Sequence, residues 1–283
     1  MRNIAIIDES FDSNASPGYH LSIQYGGHYC TFAILDTVSM QYLAFKNFWY
    51  SYPIPVKEQG EHFRALVRSE SFLMRRFKSV HFMYLSPLSV LVPTPLFHKE
   101  EPETFFKFSA QLLPTDRILF RKIPLIDAFS VFPVPQDIAD QVDLMQDNVQ
   151  FFHQSCPQIT EAIESHSHSE VAKVFACINP GFVEITIIGE GQLILHNSFT
   201  IRNTNDLIFF ILYMYEQFGL SQEESTVELS GYLEMYPGTE ELLNRYIKKW
   251  VMPEITKRFT FSNPFNDLKH HHYSHLLNLA RCE

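Results

Sequence analysis

Four histidines near the C-terminus, His270, His271, His272 and His275, form the densest group of side chains able to bind a metal. His271 and His275 stand four residues apart, a spacing that can put two imidazoles on one helix face. A zinc-protease motif would place glutamate after the first histidine, and His272 stands there instead. A polar helix start explains the cluster better. His166 and His168 alternate with serine in "ESHSHSE" and read as solvated loop residues. Asp137, Asp140, Asp143 and Asp147 follow the outer face of an amphipathic pattern, so a water-facing helix side explains them before a cation site does. Asp8 and Asp12 in "DESFD" read as a strand end and a turn. The cysteines Cys30, Cys156, Cys177 and Cys282 show no metal or redox spacing. Cys177, between Ala176 and Ile178, reads as a buried, inert thiol. There is no GxxxxGK[ST] and no GxSxG. "GEG" at 189–191 has strands on both sides, which suits a hairpin turn and not a dinucleotide loop.

The elements that must position any site belong to a chain of 283 residues with a formal charge of −10. That length suits one large or two medium domains with substantial cores. The acidic balance repels phosphate backbones and argues against nucleic acid as a partner. The start, "MRNIAIIDESFDS", turns acidic after four apolar residues, unlike a signal peptide. No apolar run is long enough for a membrane helix, so membrane insertion is not expected. A cytoplasmic protein with free thiols is the expectation.

Two halves share one order of elements: strand, strand, strand, helix, strand, helix. In the first, "HLSIQY", "YCTFAIL" and "QYLAFKNFWY" are strands, the first pair joined by Gly26-Gly27. Phe63, Leu66, Val67, Leu73, Met74 and Phe77 keep a 3.6-residue period and predict a helix over 63–77. "SVHFMYL" is the next strand, and 102–112 a second helix with Pro102 and Glu103 in its first turn. In the second half, "KVFACI", "FVEITII" and "QLILHNSFTI" are strands joined by "NPG" and "GEG". A buried helix follows over 204–218, stopped by Gly219, then the strand "STVELSGYL" and a helix over 239–251. "ITKRFTFS" and a helix near 271–281 finish the chain. Between the halves, "DAFSVFPVP" reads as a strand and Ile138, Val142, Met145, Val149 and Phe152 as one face of a helix. The expected division is an N-terminal lobe over 1–115, a connecting strand and helix over 116–170, and a C-terminal lobe over 171–283.

This α/β layout resembles the actin-like ATPase superfamily, a duplicated ribonuclease-H-like fold shared by actin, sugar kinases, seventy-kilodalton heat-shock chaperones and pilus-assembly scaffolds. The resemblance covers nearly the whole chain. "IAIIDESFD" followed by "YHLSIQYGG" also resembles an uncharacterised bacterial family with that fold. In catalytic members the first two strands of each lobe meet at a phosphate loop, Asp-x-Gly. The aspartates hold Mg²⁺ and its waters, and the glycine lets the backbone approach phosphate. Setting Cys30–Ile34 against Val183–Ile187 makes the two loops Gln24-Tyr25-Gly26 and Cys177-Ile178-Asn179. Both carboxylates are then absent, and neither a neutral amide nor a soft thiol suits a hard cation. "ELSGYLE" resembles the superfamily's Gly-rich adenosine turn, with Ser230-Gly231 where a glycine pair is expected and Tyr232 beside the base position. The resemblance therefore implies a degenerate nucleotide cleft at Gln24, Gly26, Cys177, Asn179, Ser230 and Gly231. The leading expectation is a non-catalytic pseudo-ATPase, a scaffold for an unknown protein partner, without cofactor or metal. The alternative is a divergent binder of ATP with Mg²⁺, or a phosphotransferase, that recruits the ion through Asp8, Asp12 or Asp36. A small-molecule binder using the cleft is a third reading.

Overall fold

The computed structural model describes residues 3–106, 112–146, 149–253 and 258–282. In chain order its first elements are β1 (Ile4–Ile7), β2 (Tyr19–Tyr25), β3 (Tyr29–Asp36), β4 (Gln41–Trp49), α1 (Val56–Ser69) and β5 (Ser79–Tyr84). Next come β6 (Val90–Pro93), β7 (Asp116–Lys122), β8 (Ala128–Pro135), α2 (Gln136–Asp143), β9 (Val149–His153) and α3 (Ser155–Ser165). Then follow β10 (Lys173–Asn179), β11 (Phe182–Gly189), β12 (Gln192–Thr200), α4 (Thr204–Gln217), β13 (Val227–Gly231) and α5 (Thr239–Tyr246). The last are β14 (Trp250–Val251), β15 (Thr260–Phe261) and α6 (Ser274–Asn278).

The chain divides into two compact units. The first holds Met1–Cys156, Thr256–Leu268 and His275–Glu283, the second Pro157–Ile255 and Lys269–Ser274. Residues 116–170 are shared between them: β7, β8, α2 and β9 lie in the first, and α3 enters the second at Pro157.

Within the first unit, the main sheet contains the path β4-β3-β2-β5-β9, with β1 and β15 added at β4. The strands β2, β3 and β4 are antiparallel, and β5 and β9 run parallel to β2. In the second unit, the path is β12-β11-β10-β13-β14, again three antiparallel strands followed by two parallel ones. Both sheets thus have the order third, second, first, fourth, fifth, and the duplication read from the sequence is present. A separate antiparallel sheet, β6-β8-β7, is inserted in the first unit between β5 and α2.

Strand alternation explains what each sheet buries. Leu21, Ile23 and Tyr25 of β2 face Phe63 and Val67 of α1 and Ile138 and Val142 of α2 in one core. Val174, Ala176 and Ile178 of β10 join Leu207, Ile211 and Tyr215 of α4 and Leu243 of α5 in another. The opposite faces are polar and still buried: His20, Ser22 and Gln24 on β2, and Cys177 and Asn179 on β10.

Several helices differ from expectation. The helix expected over 63–77 runs instead from Val56 to Ser69, because the backbone leaves helical geometry at Glu70, whose carboxylate reaches Lys46 of β4 at 2.7 Å. Leu73 and Phe77 remain buried, carried by a 3₁₀ turn and a loop. The helix expected through Phe152 stops at Asp143, and Val149 and Phe152 belong to β9, parallel to β5. The helix expected over 239–251 ends at Tyr246, and Trp250–Val251 pairs with β13. The second helix of the first lobe is α2; only Pro102–Phe106 of the helix expected over 102–112 is described as helical, a 3₁₀ turn, and residues 107–111 lie outside the described residues. Asp147 and the start of "ITKRFTFS" also lie outside them. α4 matches its expected span, capped by Asn203, whose side chain accepts from the amides of Asn205 and Asp206. It is not buried all round: Phe209 is 59% exposed and stacks on Tyr213 at 5.9 Å.

Candidate functional site

The registers of the two sheets superpose. Gln24 pairs with Thr31 across β2 and β3, as Cys177 pairs with Glu184 across β10 and β11. On the other side Gln24 pairs with Met83, as Cys177 pairs with Ser230. Gln24 and Cys177 therefore hold equivalent positions at the ends of the first strands.

In the first unit, Gln24 Nε2 donates to the Tyr29 hydroxyl at 2.8 Å, and Tyr29 stacks on Trp49 at 5.1 Å. The amide N–H of Gly26 donates to the Tyr29 carbonyl at 3.0 Å, closing the hairpin. A Cβ at Gly26 would meet Leu85 Cβ at 3.0 Å, so this glycine serves the approach of the loop after β5.

In the second unit, Cys177, Asn179, Ser230 and Gly231 come together at the ends of β10 and β13. Burial pushes the Cys177 thiol well up, the negative charge of Glu184 adds to this, and a hydrogen bond with Ser230 opposes it. Asn179 Nδ2 points back to Cys177 Sγ at 3.9 Å. Gly231 has φ +81°, and a Cβ there would stand 2.1 Å from the carbonyl oxygen of Ile178. The Tyr232 amide donates to that same oxygen at 2.8 Å. Packing of β13 on β10 therefore accounts for Gly231, and Tyr232 is itself buried, against His272 and Tyr273.

Glu184 joins the site without having stood out in the sequence. It is fully buried beside Cys177, with its backbone carbonyl accepting from Gln158 Nε2 at 3.2 Å. Its one signal is a lone acid inside the apolar strand "FVEITII". His196 Nε2 approaches Glu184 Oε1 at 3.6 Å, yet this is not an ion pair, because burial lowers the imidazole to about 4 and keeps it neutral.

The carboxylates proposed as substitute Mg²⁺ ligands are engaged in local turns. Asp8 accepts from the Ser10 amide at 2.9 Å, Asp12 from the Asn14 amide at 2.8 Å, and Asp36 from the Val38 amide at 3.0 Å. Among the described residues, no group of three or more His, Cys, Asp or Glu could hold a metal ion. The C-terminal histidines do not share one helix: His270–His272 is a 3₁₀ turn, and α6 begins at Ser274. A concavity of about 820 Å³ in the second unit follows the Gly231 turn. Glu234, Glu240 and Glu241 line it, and its Lys269 is paired with Glu234 at 2.8 Å, a setting that disfavours phosphate.

Acid should destabilise the protein through its buried histidines. Burial, helped by His81, lowers His20 to about 3, and burial lowers His196 to about 4. Both lie below the unfolded value, so their contribution is whole above about pH 6.5 and is lost as pH falls towards the folded values. The expected loss by pH 4 is on the order of 3 kcal/mol per histidine. Urea midpoints measured from pH 7 to pH 4 check this, and an unchanged midpoint would contradict it.

Two units, each with the same five-strand order and with the ends of the first and fourth strands brought together, define an actin-like ATPase fold. The chain belongs to the DUF3822 family, proteins of unknown function, whose profile matches residues 8–250. It is similar to a solved protein of Bacteroides thetaiotaomicron with an actin-like ATPase fold and unknown function, at 21% identity and TM-score 0.80, over 96% of this chain and 99% of that one. It is also similar to the PilM–PilN type IV pilus biogenesis complex (10% identity, TM-score 0.59, 93% and 97% covered). A third likeness is to the ethanolamine utilization protein EutJ of Carboxydothermus hydrogenoformans (9% identity, TM-score 0.54, 98% and 93% covered). No curated protein matches the chain. Among the described residues, no helix is long and apolar enough to cross a membrane.

Proposed function

We propose that this chain uses its actin-like fold as a non-catalytic scaffold or protein-interaction module, and that it binds ATP with Mg²⁺ weakly or not at all. The observation that carries this reading is the chemistry at the ends of β2 and β10. Gln24 is pinned to Tyr29, and Cys177 is a buried neutral thiol among Asn179, Ser230 and Glu184, where the superfamily resemblance implies Mg²⁺-holding aspartates. A hard dication gains little from an amide and a thiol.

A protein partner fits the exposed surface of α4. Phe209 and Tyr213 stack in the open, and a groove of about 580 Å³ runs beside them to Gly219 and Leu220. Asp206 and Glu216 stand at the two ends of that helix. The partner expected from charge complementarity is a protein segment with apolar anchors flanked by basic residues. PilM, which shares the fold, is solved in a complex with PilN, and so offers a precedent for partnership. The reading places the protein in the cytoplasm, with no nucleic-acid partner and no membrane insertion.

The test is phosphate release from ATP with Mg²⁺, compared with a control substituted at Gln24 and Asn179. Equal background rates are expected. Hydrolysis by the natural chain above that control would favour the divergent ATPase instead.

A further inference from the structure

Two of the four cysteines meet inside the first unit. Cys156 lies in the first turn of α3, and Cys282 follows the 3₁₀ turn Leu279–Arg281. Both are buried, and they share a small cluster with Met83, Phe152 and Leu279. Within that cluster the two thiols are near enough to interact, the Cys282 S–H towards the Cys156 sulfur. Arg121 of β7 lies alongside: its guanidinium carbon stands 4.8 Å from the centre of the Phe152 ring, and its charge is felt by both sulfurs. The other two cysteines are buried elsewhere, Cys30 in β3 and Cys177 in the second unit.

We propose that Cys156 and Cys282 are a reversible oxidation site, closing to a disulfide when the protein meets hydrogen peroxide. In the first step one thiolate attacks the peroxide: an S–O bond forms, the O–O bond breaks, and the leaving hydroxide takes a proton to become water. In the second step the other thiolate attacks the sulfenic sulfur: the S–S bond forms, the S–O bond breaks, and a second water leaves. The two thiols together give up two electrons and two protons, and the peroxide accepts both. Arg281 and Arg121 favour the thiolate of Cys282, whereas the hydrogen bond its S–H donates to Cys156, together with burial, holds it as a thiol at rest. The pair is thus guarded until local opening of the short 3₁₀ turn admits a small oxidant. Closure is then fast, because the second sulfur is already in place.

The bond would fasten the segment 275–282 onto the sheet of the first unit. That segment is held now by Tyr42, whose hydroxyl donates to the Leu277 carbonyl at 2.6 Å, and by His81, whose Nδ1 donates to the Leu279 carbonyl at 3.0 Å. The closed loop would enclose Pro157–Ile255 and Lys269–Ser274, a long stretch whose unfolded freedom the bond would curtail.

The test treats the full reduced chain with hydrogen peroxide, alkylates the remaining thiols, and reads intact mass, linked peptides and melting midpoint. The expected product is lighter by two hydrogens and carries a Cys156–Cys282 peptide. Its melting midpoint should rise by on the order of 10 °C and return with dithiothreitol. Cys156→Ala and Cys282→Ala should each abolish the rise. If either variant fails to fold, the linked peptide in the natural chain decides alone. A cross-link through Cys30 or Cys177, a disulfide between two chains, overoxidation of Cys282 to sulfinic acid, or no change in mass would each overturn the proposal.

Discussion

Replacing Gly231 by valine should unfold the second unit. A side chain at this position meets backbone, not a movable neighbour: its Cβ would fall 2.1 Å from the Ile178 oxygen and 2.8 Å from the Ile178 nitrogen. The φ of +81° adds strain that a β-branched residue tolerates worst. Relief requires β13 to separate from β10, which breaks a parallel pairing at the centre of the sheet. The cost is roughly 4 kcal/mol or more, in the range reserved for backbone strain and core disruption. Urea unfolding followed by circular dichroism measures it, and a midpoint equal to that of the natural chain would contradict the packing explanation. The result bears on the site as well, since packing of β13 on β10 is by itself enough to require a glycine at this turn.

Cys177→Asp should also destabilise strongly, by roughly 3–5 kcal/mol near neutral pH. The new carboxyl would be buried and would face Glu184 across the β10–β11 pairing. Two acids so placed cannot both ionise cheaply, so one is held protonated with its pKa raised. A carboxyl raised above its unfolded value contributes least at high pH. The gap between variant and natural chain should therefore narrow as pH falls, even though the buried histidines weaken both proteins. A variant of natural stability, or a gap that widens in acid, would contradict this account. In a site that still held Mg²⁺ and nucleotide, the same substitution would be tolerated and its midpoint would rise on adding them.

The hairpins were legible because glycines punctuate them. Gly26-Gly27, Gly181 and Gly191 separate β-branched and aromatic runs, and the alignment of Cys30–Ile34 with Val183–Ile187 is the register that the sheets adopt. What stayed hidden was set by distant partners. Lys46, on a strand before α1, draws Glu70 out of the helix. Val149 and Phe152 keep helical spacing by coincidence, because a strand buried on both faces carries apolar residues without a period of two. Trp250–Val251 is too short to declare itself, and pairs only because β13 offers a free side. At the site, the sequence put Gln24 and Cys177 at equivalent strand ends, as the sheets do, but did not single out the buried Glu184, whose neighbours Cys177 and His196 come from two other strands. The contact of Cys156 with Cys282 was beyond reach, since nothing local to either residue encodes it.

The most direct test of the central claim is a calorimetric titration of the natural chain with ATP in the presence of Mg²⁺. No saturable heat is predicted up to about millimolar nucleotide, corresponding to binding weaker than roughly −4 kcal/mol. A dissociation constant in the low micromolar range, roughly −8 kcal/mol, would contradict the account and favour the divergent nucleotide binder.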